Sequence, residues 1–134
     1  MIKNNQINYY QTVIRVGILY TCNEKLFKTK IKTRNVCEYC NTDSVDTLLH
    51  YFYYCPGVTL LWNKIQNEFS PLVLTENSVM YGKVMDAHEQ YLKLNRVILV
   101  AKYCICLVKM NQNHQLIKLF DKEIQWRKQS IYLH

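Results

Sequence analysis

Apolar residues recur along this chain at spacings of three and four, the period expected of helices that bury one face. Residues 5–21 carry such a face, and residues 23–27 form a second, short helical pattern. A cleaner stripe begins after Pro56, a residue that suits the first turn of a helix, and Ser70-Pro71 ends it. The stripe consists of Val58, Leu61, Trp62, Ile65 and Phe69. Trp62 is therefore expected in the core and not as a platform for stacking bases.

The same period predicts further helices on both sides of this stripe. Asp46 can cap a helix over residues 47–54, and Asn77-Ser78 can cap a short one that ends at Tyr81-Gly82. Residues 90–111 are apolar almost all round, which is typical of a central helix, and residues 114–130 are amphipathic. Together the patterns predict one mostly α-helical domain over residues 1–134, with about five or six helices. Residues 90–130 would form a carboxyl-terminal helical pair.

Three cysteines and one histidine interrupt the helical pattern within residues 37–55. Cys37 and Cys40 form a Cys-x2-Cys pair, His50 follows after nine residues, and Cys55 follows after four more. Soft S₃N ligation in a tetrahedron favours zinc, and four protein ligands would close its coordination shell. The spacing predicts one structural Zn²⁺ in a knuckle inserted early in the helical fold, with residues 35–69 as the core motif. The alternative is a chance cluster of residue types that are common in protein cores.

The other cysteines and the longest apolar run bear on the compartment. The chain has 6 cysteines and no signal-like amino terminus, which predicts a reducing, intracellular location in cytoplasm or nucleus. Cys104 and Cys106 would point to different sides of the long helix, as buried thiols. Residues 97–108 are interrupted by Lys102 and are too short to span a bilayer, so no membrane partner is expected. His88 has no second ligand at metal spacing and is expected at the surface.

The positive charge of the chain is uneven. The formal net charge is +7, and five basic residues without an intervening acid precede the first ligand pair. They are Lys25, Lys28, Lys30, Lys32 and Arg34. Such a stretch predicts contacts with the phosphates of RNA or DNA, and a merely solvated loop is the alternative. Exposed members of Tyr51, Tyr53 and Tyr54 could add stacking on unpaired bases.

The residues around the four predicted ligands resemble a known family. The runs are Asn-Val-Cys-Glu-Tyr-Cys at 35–40, Asp-Thr-Leu-Leu-His at 46–50, Tyr-Phe-Tyr-Tyr-Cys-Pro at 51–56 and Leu-Trp at 61–62. They are similar to the zinc-binding region at the carboxyl end of non-LTR (LINE-type) retrotransposon reverse transcriptases. The resemblance implies that Cys37, Cys40, His50 and Cys55 bind the metal. It also implies a polymerase domain upstream in the parent protein, of which this chain would be a detached or decayed piece.

These observations together predict a non-catalytic, zinc-stabilised module that binds nucleic acid. No polymerase motif occurs in the chain, and no small-molecule substrate is expected. Three thiolates and one imidazole would give the zinc site a charge of −1, which Lys32 and Arg34 would offset. The alternative is a zinc-stabilised protein-interaction domain, or a structural relic, without nucleic-acid binding. A zinc deaminase would need His-x-Glu before its Cys-x2-Cys, whereas here Tyr51-Phe52 follows His50 and the cysteine pair comes first.

Overall fold

The computed structural model describes residues 34–81 and 89–132 of the chain. The helices predicted at 5–21 and 23–27, the four lysines of the basic stretch, and His88 lie outside the described residues. Within the described part, a short hairpin leads into a π-helical segment, His50–Tyr54, and four α-helices follow. We number them α1 (Thr59–Phe69), α2 (Glu76–Tyr81), α3 (Glu89–Met110) and α4 (Leu116–Tyr132). The prediction of a mostly helical fold with an early Cys/His knuckle is confirmed.

Helix α3 is the centre of the described fold, because it packs against both α4 and α1. Its predicted apolar positions are buried, and Cys104 and Cys106 are buried free thiols, as expected. The buried apolar positions are Leu94, Val97, Ile98, Ala101, Ile105 and Val108. The same helix also buries Lys102 and Lys109, which the apolar pattern does not predict. In the described ranges no helix is both long and apolar enough to cross a membrane.

Helix α1 buries the face that its sequence predicts. Val58, Leu61 and Ile65 are fully buried, and Trp62 is a core residue whose Nε1 donates to the Phe52 carbonyl at 2.6 Å. The helix begins at Thr59, three residues after Pro56. Pro56 lies instead in a turn that the Val58 amide closes by donating to the Cys55 carbonyl at 2.9 Å. The extra turn carries the chain from the last cysteine into α1.

Two helix starts differ from the predicted caps. The capping side chain of the His50 segment is Thr47, not Asp46: its Oγ1 accepts from the His50 amide at 3.0 Å. Asp46 is buried, and its amide instead closes the preceding hairpin by donating to Asn35 O at 2.8 Å. At α2, Thr75 replaces the predicted Asn77-Ser78 cap. Its hydroxyl accepts from the Ser78 amide at 3.2 Å, and Ser78 Oγ accepts from the Thr75 amide at 3.3 Å, a reciprocal capping box.

The turn between α3 and α4 is a tight helix end. Gln112 has a left-handed backbone with φ 49°. The Asn113 amide donates to Val108 O at 2.8 Å, and the Gln112 amide donates to Lys109 O at 3.4 Å. This pair of bonds is the Schellman arrangement that terminates a helix. It turns α4 back along α3 and places residues 113 and 114 beside the knuckle.

Candidate metal centre

The hairpin positions the first two sulfur atoms of the centre. An antiparallel bridge between Val36 and Val45 closes it, and the Cys37 amide donates to Ser44 O at 2.9 Å. Asn41, directly after the Cys-x2-Cys pair, has φ 55°. Asparagine tolerates this left-handed conformation better than most residues, so the chain reverses there without glycine. The reversal leaves both cysteine side chains on one side of the hairpin.

The π-helical segment positions the other two ligands. In an α-helix, residues five apart lie about 140° from each other around the axis. The wider π turn, closed by the Cys55 amide donating to His50 O at 2.9 Å, reduces this angle. His50 at the start of the segment and Cys55 just after it can therefore face the same point. Both side chains are buried.

The four side chains converge at distances that suit a tetrahedral ion. We call Cys37, Cys40, His50 and Cys55 the Cys/His cluster; their ligand atoms all lie within 4.8 Å of one another. The Sγ atoms of Cys37 and Cys55 are 4.0 Å apart, and Cys40 Sγ is 3.5 Å from His50 Nε2. Zinc bonds of about 2.3 Å to sulfur and 2.0 Å to nitrogen require tetrahedral edges of about 3.8 and 3.5 Å. The cluster could hold a metal ion with little movement.

Polar groups around the cluster favour thiolates. The Cys40 amide donates to Cys37 Sγ, and the Gly57 amide donates to Cys55 Sγ; each bond lowers the pKa of the cysteine that accepts it. Thr42 Oγ1 lies 3.0 Å from Cys40 Sγ, within hydrogen-bond distance. Such outer contacts orient metal ligands and tune their basicity.

The two buried sulfur atoms, Cys37 and Cys55, lie within hydrogen-bond distance of each other. A hydrogen bond between them, together with burial, raises the pKa of Cys37 to about 12. The same bond lowers the pKa of Cys55 to about 7, against the effect of burial. A metal ion would displace the proton of this hydrogen bond and bind both sulfurs as thiolates.

Tyr39 fastens the hairpin to the turn between α3 and α4. Its hydroxyl donates to Asn113 O at 2.7 Å, and its ring stacks on His114 with centroids 4.4 Å apart. Gly57 also lies close to the ring: a Cβ at this position would lie 2.6 Å from Tyr39 Cε2. A larger residue at position 57 would displace the ring, so glycine is required there by space. The cluster is thus attached to helices far away in sequence.

Lys109 is the neighbour of the cluster that the sequence analysis missed. Its side chain is buried, and Nζ donates to Tyr51 O at 2.8 Å. Nζ also lies 4.4 Å from the centre of the Tyr51 ring and 5.5 Å from that of Tyr39. Its positive charge lowers the pKa of Cys37 and of Cys55. The sequence does contain one sign of this role: Lys109 lies on a helix that is otherwise apolar nearly all round.

Of the five predicted phosphate contacts, the structure describes Arg34, which is not part of the Cys/His cluster. Arg34, the described member of the basic stretch, is exposed, and its guanidinium lies 3.9 Å from the Asp43 carboxylate. The prediction of base stacking concerns the exposed members of Tyr51, Tyr53 and Tyr54, and Tyr51 is not among them because it is fully buried. Tyr53 is half-buried, whereas Tyr54 is 56% exposed and its hydroxyl donates to Glu76.

The two remaining described cysteines stay apart from the cluster. Burial raises the pKa of Cys104, and it raises that of Cys106 to about 11 although the Tyr51 hydroxyl donates to the Cys106 sulfur. Neither belongs to a group of metal-binding side chains among the described residues.

Comparisons with known proteins leave the family open. No protein-family model, no curated protein and no solved structure matches this chain. The resemblance to a retrotransposon zinc-binding region therefore stays a prediction. The observation that bears on function is the geometry of the Cys/His cluster, which could hold a metal ion.

Proposed function

We propose that this chain is a non-catalytic module that binds one structural zinc ion and holds nucleic acid next to it. The observation that carries the proposal is the convergence of three sulfur atoms and one imidazole nitrogen within 4.8 Å. Thiolate-rich tetrahedral sites select zinc over the harder ions that prefer oxygen.

The role of the metal follows from the number of ligands. Four protein ligands complete a tetrahedron, which leaves no position for a water molecule activated for hydrolysis. The ion would instead join the hairpin to the His50–Tyr54 segment, two stretches that are otherwise connected by few backbone bonds. Zinc would thus contribute to folding, as it does in other small metal-dependent domains.

The nucleic-acid part of the proposal rests on charge. Six basic residues and one acidic residue occur in the first 33 positions, and the net charge of the whole chain is +7. The basic stretch ends at Arg34, three residues before the first ligand, and the Arg34 side chain is 70% exposed. Phosphate contacts from such a stretch would supply affinity without reading sequence. The resemblance to the end of a reverse transcriptase favours a template RNA or target DNA as the ligand and an upstream polymerase domain as a partner.

The test is a salt titration of binding to a labelled single-stranded RNA and to a DNA duplex. If the five basic residues contact phosphates, the log–log slope of affinity against salt should be as steep as about −3 to −5. Replacing Lys25, Lys28, Lys30, Lys32 and Arg34 by alanine should weaken binding to all sequences alike. Replacing Lys118 and Lys122, exposed lysines of α4, provides the matched control and should have little effect. A flat salt response in the zinc-loaded protein would contradict nucleic-acid binding.

A protein-interaction module is the second candidate, and exposed apolar side chains favour it. Leu60 is 72% exposed, Tyr81 79% and Trp126 77%. Exposed apolar residues mark contacts with another protein where they form a contiguous patch. Two results would support this function. RNA and DNA binding would be negligible at low salt, and the Leu60→Ser and Trp126→Ser variants would show reduced self-association or partner binding.

A further inference from the structure

Lys109 is a buried cation whose described contacts are neutral. Its side chain is 6% exposed, and its contacts are the Tyr51 carbonyl and the rings of Tyr51 and Tyr39. Among the described residues no carboxylate lies within 4.0 Å of Nζ. A buried ammonium is costly unless a negative charge lies nearby. The structure therefore calls for an anion close to Lys109.

The groups that surround Nζ belong to the metal-binding segments. Tyr39 lies between Cys37 and Cys40, and Tyr51 directly follows His50. The ammonium is thus held against both parts of the chain that supply ligands. The groups on these two segments that become negatively charged when they bind a metal are the cysteine sulfurs of the Cys/His cluster. In a buried environment of low dielectric, such charges interact over several ångströms.

Charge counting then gives Lys109 a role. Zn²⁺ with three thiolates and a neutral imidazole carries −1, and one ammonium makes the assembly neutral. We propose that Lys109 is the charge partner of the metal centre: its buried ammonium neutralises a Zn(Cys)₃(His) site and raises its affinity for zinc. This inference rests on the zinc binding of the proposed function. The sequence predicts that Lys32 and Arg34 neutralise this charge. In this inference the charge is neutralised instead by Lys109, in the carboxyl-terminal half of the chain.

Lys102 provides a control within the same helix. It lies two turns earlier on α3 and is 8% exposed; its Nζ donates to Met80 O at 3.3 Å and lies 5.0 Å from the Phe52 ring centre. It contacts a carbonyl and an aromatic ring, as Lys109 does, but neither of the rings that flank the Cys/His cluster. A comparison of Lys109→Met with Lys102→Met separates a specific effect on the metal from the general effect of removing a buried charge.

The experiment measures zinc affinity of the full chain by competition with a chromophoric chelator at neutral pH. Removing an outer partner of a metal site typically costs about 10- to 100-fold in affinity. We expect a loss of that size in Lys109→Met and a change of less than about threefold in Lys102→Met. Equal zinc affinities of wild type and Lys109→Met would overturn this inference alone. A wild-type protein that binds no zinc would overturn the proposed function as well.

A second measurement tests charge separately from hydrogen bonding. Cys40→His converts the cluster to Cys₂His₂, a zinc ligand set that is neutral without a counter-ion. In this background Lys109→Met should weaken zinc binding by less than about threefold, since no charge remains to be neutralised. An equal loss in both backgrounds would mean that Lys109 acts through its bond to Tyr51 O, and the charge assignment would be wrong.

A third comparison covers the case in which Lys109→Met does not fold. Lys109→Arg keeps the charge, whereas Lys109→Gln keeps a donor for Tyr51 O and loses the charge. Tighter zinc binding by the arginine variant, or folding with zinc by that variant alone, supports the assignment. Equal zinc binding, or tighter binding by the glutamine variant, overturns it.

Discussion

Gln112 occupies a backbone conformation that glycine adopts more easily. Its φ of 49° and the two amide bonds of the Schellman arrangement place it at the position where helices most often carry glycine. Gln112→Gly should raise the free energy of unfolding by about 0.5–1 kcal/mol, because the left-handed strain of a side chain is removed. Urea unfolding of the zinc-loaded protein measures the change.

The control is the same substitution in a regular helix. Gln125 is exposed on α4, and Gln125→Gly should lower the free energy of unfolding by about 1 kcal/mol. A loss of stability in both variants would show that position 112 does not have the left-handed conformation.

Single residues divide into those that the sequence predicts and those that only the structure reveals. The burial of Trp62 follows from its place in a stripe of period 3.6, and the grouping of the four ligand side chains follows from their spacing. Lys109 could not be placed from the sequence, because its partners come from residues about 60 to 70 positions earlier in the chain. Long-range contacts of this kind are invisible to local periodicity.

At the scale of elements, the start of the His50–Tyr54 segment should influence the metal. Thr47 caps this segment through its bond to the His50 amide, and Thr75 caps α2 in the same way. Each threonine-to-alanine change should cost about 1 kcal/mol of stability. Thr47→Ala should also weaken zinc binding by about fivefold, because the freed cap loosens a ligand-bearing turn.

Thr75→Ala provides the comparison for that measurement. It should lower the thermal midpoint by a similar amount and leave zinc affinity unchanged, since α2 carries no ligand. Zinc affinities that fall equally in the two variants would indicate a global loss of stability instead of a local one.

Elements with a clean period were predictable, and those shaped by the metal centre were not. The long helix predicted at 90–111 is observed as Glu89–Met110. Its apolar positions continue along its whole length, and no proline or glycine interrupts them. The π-helical form of His50–Tyr54 departs from the α-helix predicted there. Its widening serves the convergence of His50 and Cys55, which is a tertiary requirement that propensity does not contain.

At the scale of the whole molecule, zinc affinity should depend on pH with a definite sign. The raised pKa of Cys37 keeps it protonated at neutral pH, so zinc uptake must release its proton. Lower pH therefore favours the metal-free protein, and zinc affinity should rise with pH across the neutral range. Chelator competition at several pH values measures the trend, and a pH-indicator dye in weak buffer detects the released protons. An affinity independent of pH would contradict the proposed thiolate ligands.

The hairpin and the helical part form one connected structure through Tyr39 and Lys109. These contacts join residues 36–57 to the end of α3 and the following turn. Loss of the metal should consequently disturb the helical core as well as the hairpin. This expectation links the metal centre to the stability of the whole described fold.

The most direct test of the metal centre is elemental analysis of the protein purified in reducing buffer, beside two double variants. About one zinc per chain is expected in wild type and in Cys104→Ala/Cys106→Ala, whose cysteines lie outside the cluster. Cys37→Ser/Cys40→Ser should lose both the zinc and the cooperative unfolding transition. A well-folded wild-type protein without metal, or full zinc occupancy in Cys37→Ser/Cys40→Ser, would contradict the account.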